Sequence, residues 1–209
     1  MSGLRERQKA HRHDRIIHAA TGLFREQGYE AVKMEAIAEA AEVAIGTIYN
    51  YYRNKGDLLV AIVSLEVEEV LRAGEEVMAN PPGDAEAAVD ALIGGYVAHS
   101  LHYLSKEMWR QAMAISTVQP MSPFGETYAG LDVALARQTC QLLEKLQETG
   151  LLSRKADAAG LGEVIFNNTN MNFIVFVKTE AMGIEALLEL LRRQHRAVLA
   201  GWRIPGEGI

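Results

Sequence analysis

An all-α fold follows from three observations. Apolar residues recur at i, i+3, i+4 and i+7 along most of the chain, no segment shows a strand's alternation, and the breaks carry helix stop and start signals. About nine helices result. The first carries Ile16, Ala20, Leu23 and Phe24 and ends at Gly28, a residue suited to a left-handed cap. The second is short, with Met34, Ile37, Ala38 and Ala41, and a break at Glu42, Val43 and Ala44 separates it from a third. Two short helices joined by so tight a turn make a helix-turn-helix, with the first helix covering them from behind.

The fourth helix runs from Lys55 toward Ala79, with Leu59, Val63, Val67, Val70, Gly74 and Val77 inward and Glu66, Glu68, Glu69, Glu75 and Glu76 outward. NPPGD at 80–84 stops it, and Asp84 is placed to cap a fifth helix bearing Val89, Leu92, Ile93, Tyr96 and Val97. A sixth lies around Met108 to Ser116. Ser122 and Pro123 then read as N-cap and first residue of a seventh, carrying Tyr128, Leu131, Leu135, Leu142 and Leu146 and closing at Gly150. Asp157 caps an eighth helix through Val177. A ninth runs from about Glu180 to Trp202, with Ile184, Leu187, Leu188, Leu191, His195, Val198 and Trp202 on one face.

The net charge of −6 hides an asymmetry: residues 1–56 hold 9 Lys/Arg against 7 Asp/Glu, whereas residues 57–209 hold 12 against 20. Phosphate attracts the first part and is repelled by the second. Arg5, Arg7, Lys9, Arg12 and Arg15, with His11 and His13, crowd the start and are opposed by Glu6 and Asp14. Such a segment is either a solvated tail or a nucleic-acid contact. No stretch is long and apolar enough to span a bilayer, and the N-terminus lacks the apolar core of a signal peptide, so a cytoplasmic protein is expected. A single Cys140 excludes an internal disulfide and a multi-cysteine zinc site.

In IGTIYNYYRNKGDLL, residues 45–59, a helical wheel puts Ile45, Ile48, Tyr49 and Tyr52 on one side and Thr47, Asn50, Tyr51, Asn54 and Lys55 on the other. One face suits burial. The other offers hydroxyls, amides, a ring and a cation.

Residues 36–59 resemble the DNA-binding signature of the TetR family of bacterial transcriptional regulators. Ile37, Ala38, Ala41, Val43, Gly46, Thr47, Ile48, Tyr49, Tyr51, Tyr52, Lys55 and Leu58 carry the match, and similarity extends over about residues 12–60. Two positions depart from the pattern: Glu42 replaces the usual turn glycine, and Ala44 replaces the serine that caps the recognition helix. The resemblance implies a DNA-binding domain over residues 1–54 and a ligand-binding and dimerisation domain over 55–209. It implies DNA contacts from Lys33, Gly46, Thr47, Tyr49, Asn50, Tyr51 and Lys55. Thr47, Asn50 and Tyr51 would enter the major groove, Tyr49 would bury its ring and offer its hydroxyl to a phosphate, and Lys55 would sit on the backbone. The basic segment would then reach phosphates or a minor groove.

In the second domain an inducer pocket is expected among helices four to eight. Trp109, Met113, Phe124, Tyr128, Phe166 and Phe173 would form its apolar walls, and Tyr96, His99, Asn167 and Asn170 its few hydrogen-bonding groups. Cations there are limited to Lys106, Arg110 and Arg137, which disfavours a highly anionic ligand. Within FNNTNMNF at 166–173, Asn168 and Asn172 share a face with Leu161, Ile165 and Val175. They would serve a subunit interface or simply make interfacial or core hydrogen bonds. His99 and His102 stand at i, i+3 without the further ligands a metal site needs, and Cys140 reads as a small buried hydrophobe or a redox sensor. No catalytic motif, metal or cofactor is expected.

The expected protein is therefore a homodimeric repressor, released from a palindromic double-stranded DNA operator by a small, mainly hydrophobic inducer. Helices eight and nine would pair the subunits through Ile184, Leu188, Leu191 and Val198. The alternative is a helical dimeric interaction module whose DNA-binding face has decayed.

Overall fold

The computed structural model describes residues 3–202, with the side chains of Leu4 and Arg5 outside the description. Among the described residues there are nine α-helices and no strand: α1 (Leu4–Gln27), α2 (Met34–Ala40), α3 (Ile45–Tyr51), α4 (Lys55–Ala79), α5 (Ala85–His99), α6 (Lys106–Val118), α7 (Pro123–Glu148), α8 (Ala158–Lys178) and α9 (Ile184–Leu199), with a 3-10 turn at Ala200–Trp202. The caps sit where their chemistry demands. Asp84, Ser105 and Asp157 each accept a hydrogen bond from a backbone N–H three residues on. Ser122 does the same for Gly125 at 3.1 Å, with Pro123 as first helical residue of α7. Gly28 ends α1 at φ 81°, but its ψ of 150° extends the chain instead of closing the left-handed cap expected there.

The helices form two compact units. Among the described residues, one takes 3–65 together with His102–Ala129; the other takes Glu66–Leu101 and 130–202. In the first unit, Ile16, Ala20 and Phe24 of α1 are fully buried with Ile37 of α2, Ile48 of α3 and Leu58, Leu59 and Ile62 of α4. Here α6 is tied to the α1–α2 corner. The backbone N–H of Tyr29 donates to Oε1 of Glu107 at 3.1 Å, and Arg25 donates to the carbonyl of His102.

In the second unit α9 packs on α5 and α8. Gly162 of α8 makes its close approach to α7 possible: a Cβ there would stand 2.5 Å from Cα of Cys140. Three expectations are corrected. Glu66, assigned to the outward face of α4, is 2% exposed, because His99 of α5 supplies its partner. α9 begins at Ile184 and not near Glu180, because a turn closed by Met182 N–H on the Thr179 carbonyl precedes it. Finally, the stripe assigned to a subunit interface is partly used within the chain. Leu188 and Leu191 are buried against its own helices, while Ile184 and Val198 are half-buried.

Candidate nucleic-acid interface

α2 and α3 meet through a turn at Ala41–Ala44 in which Glu42 takes φ 52°, left-handed backbone that L side chains other than Asn or Asp adopt at a cost of about 1–2 kcal/mol. Arg15 of α1 embraces this turn, its guanidinium 3.5 Å from Oε2 of Glu42 and 3.4 Å from its carbonyl oxygen. Ala44 holds the extended backbone of an N-cap, φ −64° and ψ 143°, but has no side chain to accept a hydrogen bond.

α3 is anchored by two residues: Ile48 is fully buried and Tyr52 is 6% exposed. The wheel drawn over residues 45–59 fails at both ends. Ile45 and Tyr49 are 39% and 47% exposed, because the buried stripe of α3 is narrow: Ile48 and Tyr52 fill it, and Ile45 and Tyr49 fall at its edge. Tyr49 thus presents its ring instead of burying it. Beyond Tyr51 the helix stops, with Tyr52 extended at φ −139° and ψ 120°. Asn54 is removed from the reading face as well: its Oδ1 accepts the Asp57 N–H at 3.0 Å and caps α4, while Asp57 accepts the Arg53 N–H at 2.9 Å.

The outward side of α3 therefore holds Gly46, exposed with open space where a Cβ would lie, half-buried Thr47, exposed Asn50 and half-buried Tyr51. Lys33, at the N-cap of α2, is exposed. Lys55 is not poised for a phosphate. Its ammonium donates to the carbonyls of Tyr29 (2.8 Å) and Glu30 (2.9 Å) and stands 4.7 Å from the centre of the Tyr29 ring. Burial pushes the Tyr29 phenol up to about 12, with Glu30 adding to it, so the ring beneath Lys55 stays neutral. The basic N-terminal segment is part of α1, neither a solvated tail nor an extended arm. Arg7, Lys9, Arg12 and Arg15 lie on this helix, whereas the side chain of Arg5 lies outside the described residues.

A family model for bacterial regulatory proteins of the tetR family matches residues 16–62, from the buried half of α1 to the first two turns of α4. Over these residues the chain carries a TetR-family DNA-binding domain. The HTH-type transcriptional repressor KstR of Mycolicibacterium smegmatis is 32% identical over 133 residues, covering 62% of this chain and 56% of that protein. The chain spans 32% to 56% of the length of the first two KstR relatives it matches. Among solved structures, a TetR-family regulator from Mesorhizobium loti superimposes with a TM-score of 0.74 at 22% identity, covering 93% of this chain and 98% of that one. Thermus thermophilus FadR, a repressor solved with lauroyl-CoA, does so with a TM-score of 0.63 at 20% identity over 94% and 97%. These likenesses carry the TetR fold through the C-terminal helices.

The ten residues assigned to an inducer pocket divide between the two units. In the first, Trp109 and Phe124 are buried, Met113 and Tyr128 are half-buried, and the Phe124 and Tyr128 rings stack at 6.3 Å. In the second, Tyr96 is buried and donates its hydroxyl to Oε1 of Gln138 at 2.5 Å, while Nε2 of Gln138 donates to the Leu71 carbonyl at 2.7 Å. Burial raises the Tyr96 phenol, only partly offset by Thr139, and keeps it a neutral donor. His99 is engaged by α4: its Nδ1 lies 2.6 Å from Oε1 of Glu66 and its Nε2 lies 3.2 Å from Oε2 of Glu69. Both ring nitrogens face carboxylates of α4. Phe166 is buried, and Asn170 and Phe173 are half-buried.

Asn167 is exposed, on the same side of α8 as Val164 and Met171, because positions 164, 167 and 171 share a helical face. Asn168 and Asn172 both donate to Oε1 of Gln194 on α9, at 2.9 and 3.0 Å. They serve the contact between α8 and α9 of one chain. Sequence reasoning missed Gln138 and Asp132. A glutamine inside the α7 stripe was the available signal for the first. Asp132 is half-buried, and desolvation pushes its carboxyl up to about 6.

Proposed function

We propose that this TetR-family chain is a homodimeric, ligand-responsive DNA-binding regulator: a repressor that leaves a palindromic operator when a small, mainly hydrophobic inducer binds. The carrying observation is α3 itself. Ile48 and Tyr52 anchor it, and Thr47, Asn50 and Tyr51 remain on the side where α1 contributes Lys9 and Arg12. Among the described residues no helix is long and apolar enough to cross a membrane. In this reading residues 1–54 read DNA and residues 55–209 bind ligand and dimerise. The experiment is a mobility shift with the gene's own upstream DNA across a salt series. Salt-sensitive, sequence-selective binding supports the regulator, and its absence on every promoter fragment favours the interaction module with a decayed reading face.

The dimer surface we propose is the outer face of α8, where Val164 (51% exposed), Met171 (61%) and Val175 (45%) form an apolar stripe. Sedimentation should find a dimer that Val164→Glu with Met171→Glu dissociates. For the inducer, the repressor most informative by chemistry is Thermus FadR, solved with lauroyl-CoA. The buried Phe166 and half-buried Phe173 suit an acyl chain. Thermal shift with a free fatty acid, its coenzyme A thioester and coenzyme A alone separates recognition of the chain from recognition of the phosphates.

A further inference from the structure

A cleft of about 720 Å3 opens within the first unit, between the helix-turn-helix and the corner where α6 gives way to α7. α3 contributes the exposed ring of Tyr49 to it, and α7 contributes the ring of Phe124, one of the residues assigned to the inducer pocket. Ile115 and Pro123 continue the apolar lining. The Tyr49 ring is therefore the side of a slot, not a core residue left uncovered.

The polar lining is rich in donors, while its acceptors are already engaged. Its carboxylate, Asp57, accepts the backbone N–H and Nε of Arg53 at 2.9 and 3.2 Å. The Ser122 hydroxyl donates to the Gln119 carbonyl and accepts from the Gly125 N–H. Asn54 commits its Oδ1 to the Asp57 N–H, which leaves its amide donors, and Lys55 gives two of its three ammonium protons to the carbonyls of Tyr29 and Glu30. What the cleft still offers is an ammonium donor, the end of a guanidinium and the side-chain amides of Asn54 and Gln119, so two cations stand against one carboxylate that Arg53 already holds.

We propose that this cleft is an effector site for a small planar aromatic carboxylate, apart from the inducer-binding residues Phe166 and Phe173 of the second unit. The ligand's ring packs with Tyr49 and Phe124, and its carboxylate is held by Arg53 and Lys55 with the amides of Asn54 and Gln119. Two lining rings favour a flat partner by offset stacking, and a space of this size suits a compact ligand buried along one side. The regulatory consequence rests on the DNA-binding reading. Tyr49 belongs to the set that would meet DNA, so a ligand stacked on it and an operator cannot use it together, and each weakens the other by the same factor.

The probe is 1-naphthoate, titrated calorimetrically into the full-length protein without DNA, with 1-naphthamide, octanoate and inorganic phosphate as comparisons. Naphthoate should bind about tenfold or more tightly than each of these, because only it satisfies both the rings and the cations. Tyr49→Ala and Gln119→Glu, both at exposed positions, should each weaken naphthoate by about tenfold, whereas Phe173→Ala should not change it. Absence of naphthoate binding, equal affinity for octanoate or phosphate, or binding that Phe173→Ala abolishes while Tyr49→Ala leaves it intact overturns the site. On a promoter fragment that the wild type binds, saturating naphthoate should lower DNA affinity in the wild type and have little effect in Gln119→Glu at the same concentration. Unchanged DNA affinity with naphthoate bound overturns the coupling alone, and a wild type that binds no promoter fragment overturns the DNA-binding reading while the calorimetry still decides the site.

Discussion

His99 and Glu66 form a contact of 2.6 Å between Nδ1 and Oε1, in which the carboxylate is 2% exposed and the imidazole 30%. The pair joins α4 to α5 inside the second unit, and a second carboxylate, Glu69, holds the far side of the ring at 3.2 Å. A buried charge is tolerated because this partner is in place, so the cost of disturbing it falls on whichever residue remains.

His99→Ala should therefore destabilise the protein by about 2 kcal/mol, below the usual range for a buried pair because the ring is part-exposed. Glu66→Gln in the same chain should recover part of that loss, since a neutral amide is cheaper to bury. Urea midpoints of the two single variants and the double variant measure this coupling; strictly additive losses would show that the contact carries none of it.

Two desolvated groups of the second unit, buried His195 and half-buried Asp132, should impose opposing pH dependences. Burial pushes the His195 ring down from 6.5 to about 4, so the unfolded chain binds its proton first and stability falls as pH drops from about 6.5 to about 4. Burial pushes the Asp132 carboxyl up from 3.8 to about 6, so stability is present at low pH and lost as pH rises through about 6. Each is worth about 3 kcal/mol over its window. Their contributions should nearly cancel between pH 4 and 6 in the native chain. His195→Asn should then gain stability on acidification, and Asp132→Asn should lose it, in denaturant titrations at matched ionic strength.

Gly162→Ala should cost about 3 kcal/mol, in the upper range for overpacking. The new Cβ would meet backbone atoms of Cys140 at 2.5 and 2.9 Å, which no side-chain rotation relieves, so Cys140→Ala should not rescue it. Gly95→Ala provides the contrast. That position is exposed in α5 with open space around it, and alanine there should stabilise by about 0.5–1 kcal/mol. Thermal melts of the two variants should move in opposite directions.

Ala44→Ser should stabilise the recognition helix by about 1 kcal/mol, because the backbone already has N-cap geometry and lacks only the acceptor oxygen. Glu42→Gly should add about 1 kcal/mol by relieving the left-handed backbone, less whatever the Arg15 contact contributed. Both should raise DNA affinity along with the unfolding midpoint. A stabilised protein with unchanged affinity would show that the turn does not limit binding.

Helix placement, caps and the helix-turn-helix were determined by the sequence, because amphipathic spacing and an N-cap are decided within a few residues of chain. Ser122-Pro123, Asp84, Asp157 and the burial of Ile48 and Tyr52 are of this kind. The fate of the polar side chains was decided only by tertiary structure. Lys55 meets a carbonyl 26 residues away, Tyr51 one 42 residues away, and Glu66 an imidazole 33 residues away. A helical wheel marks such residues as polar and therefore outward. Whether a donor faces solvent or a buried partner depends on which helix packs opposite, and that information lies in long-range packing, beyond any local period. The same reason explains Tyr49 and Leu188. Both are apolar enough for a core, but one falls at the edge of the narrow stripe that Ile48 and Tyr52 fill and the other is buried among its own chain's helices.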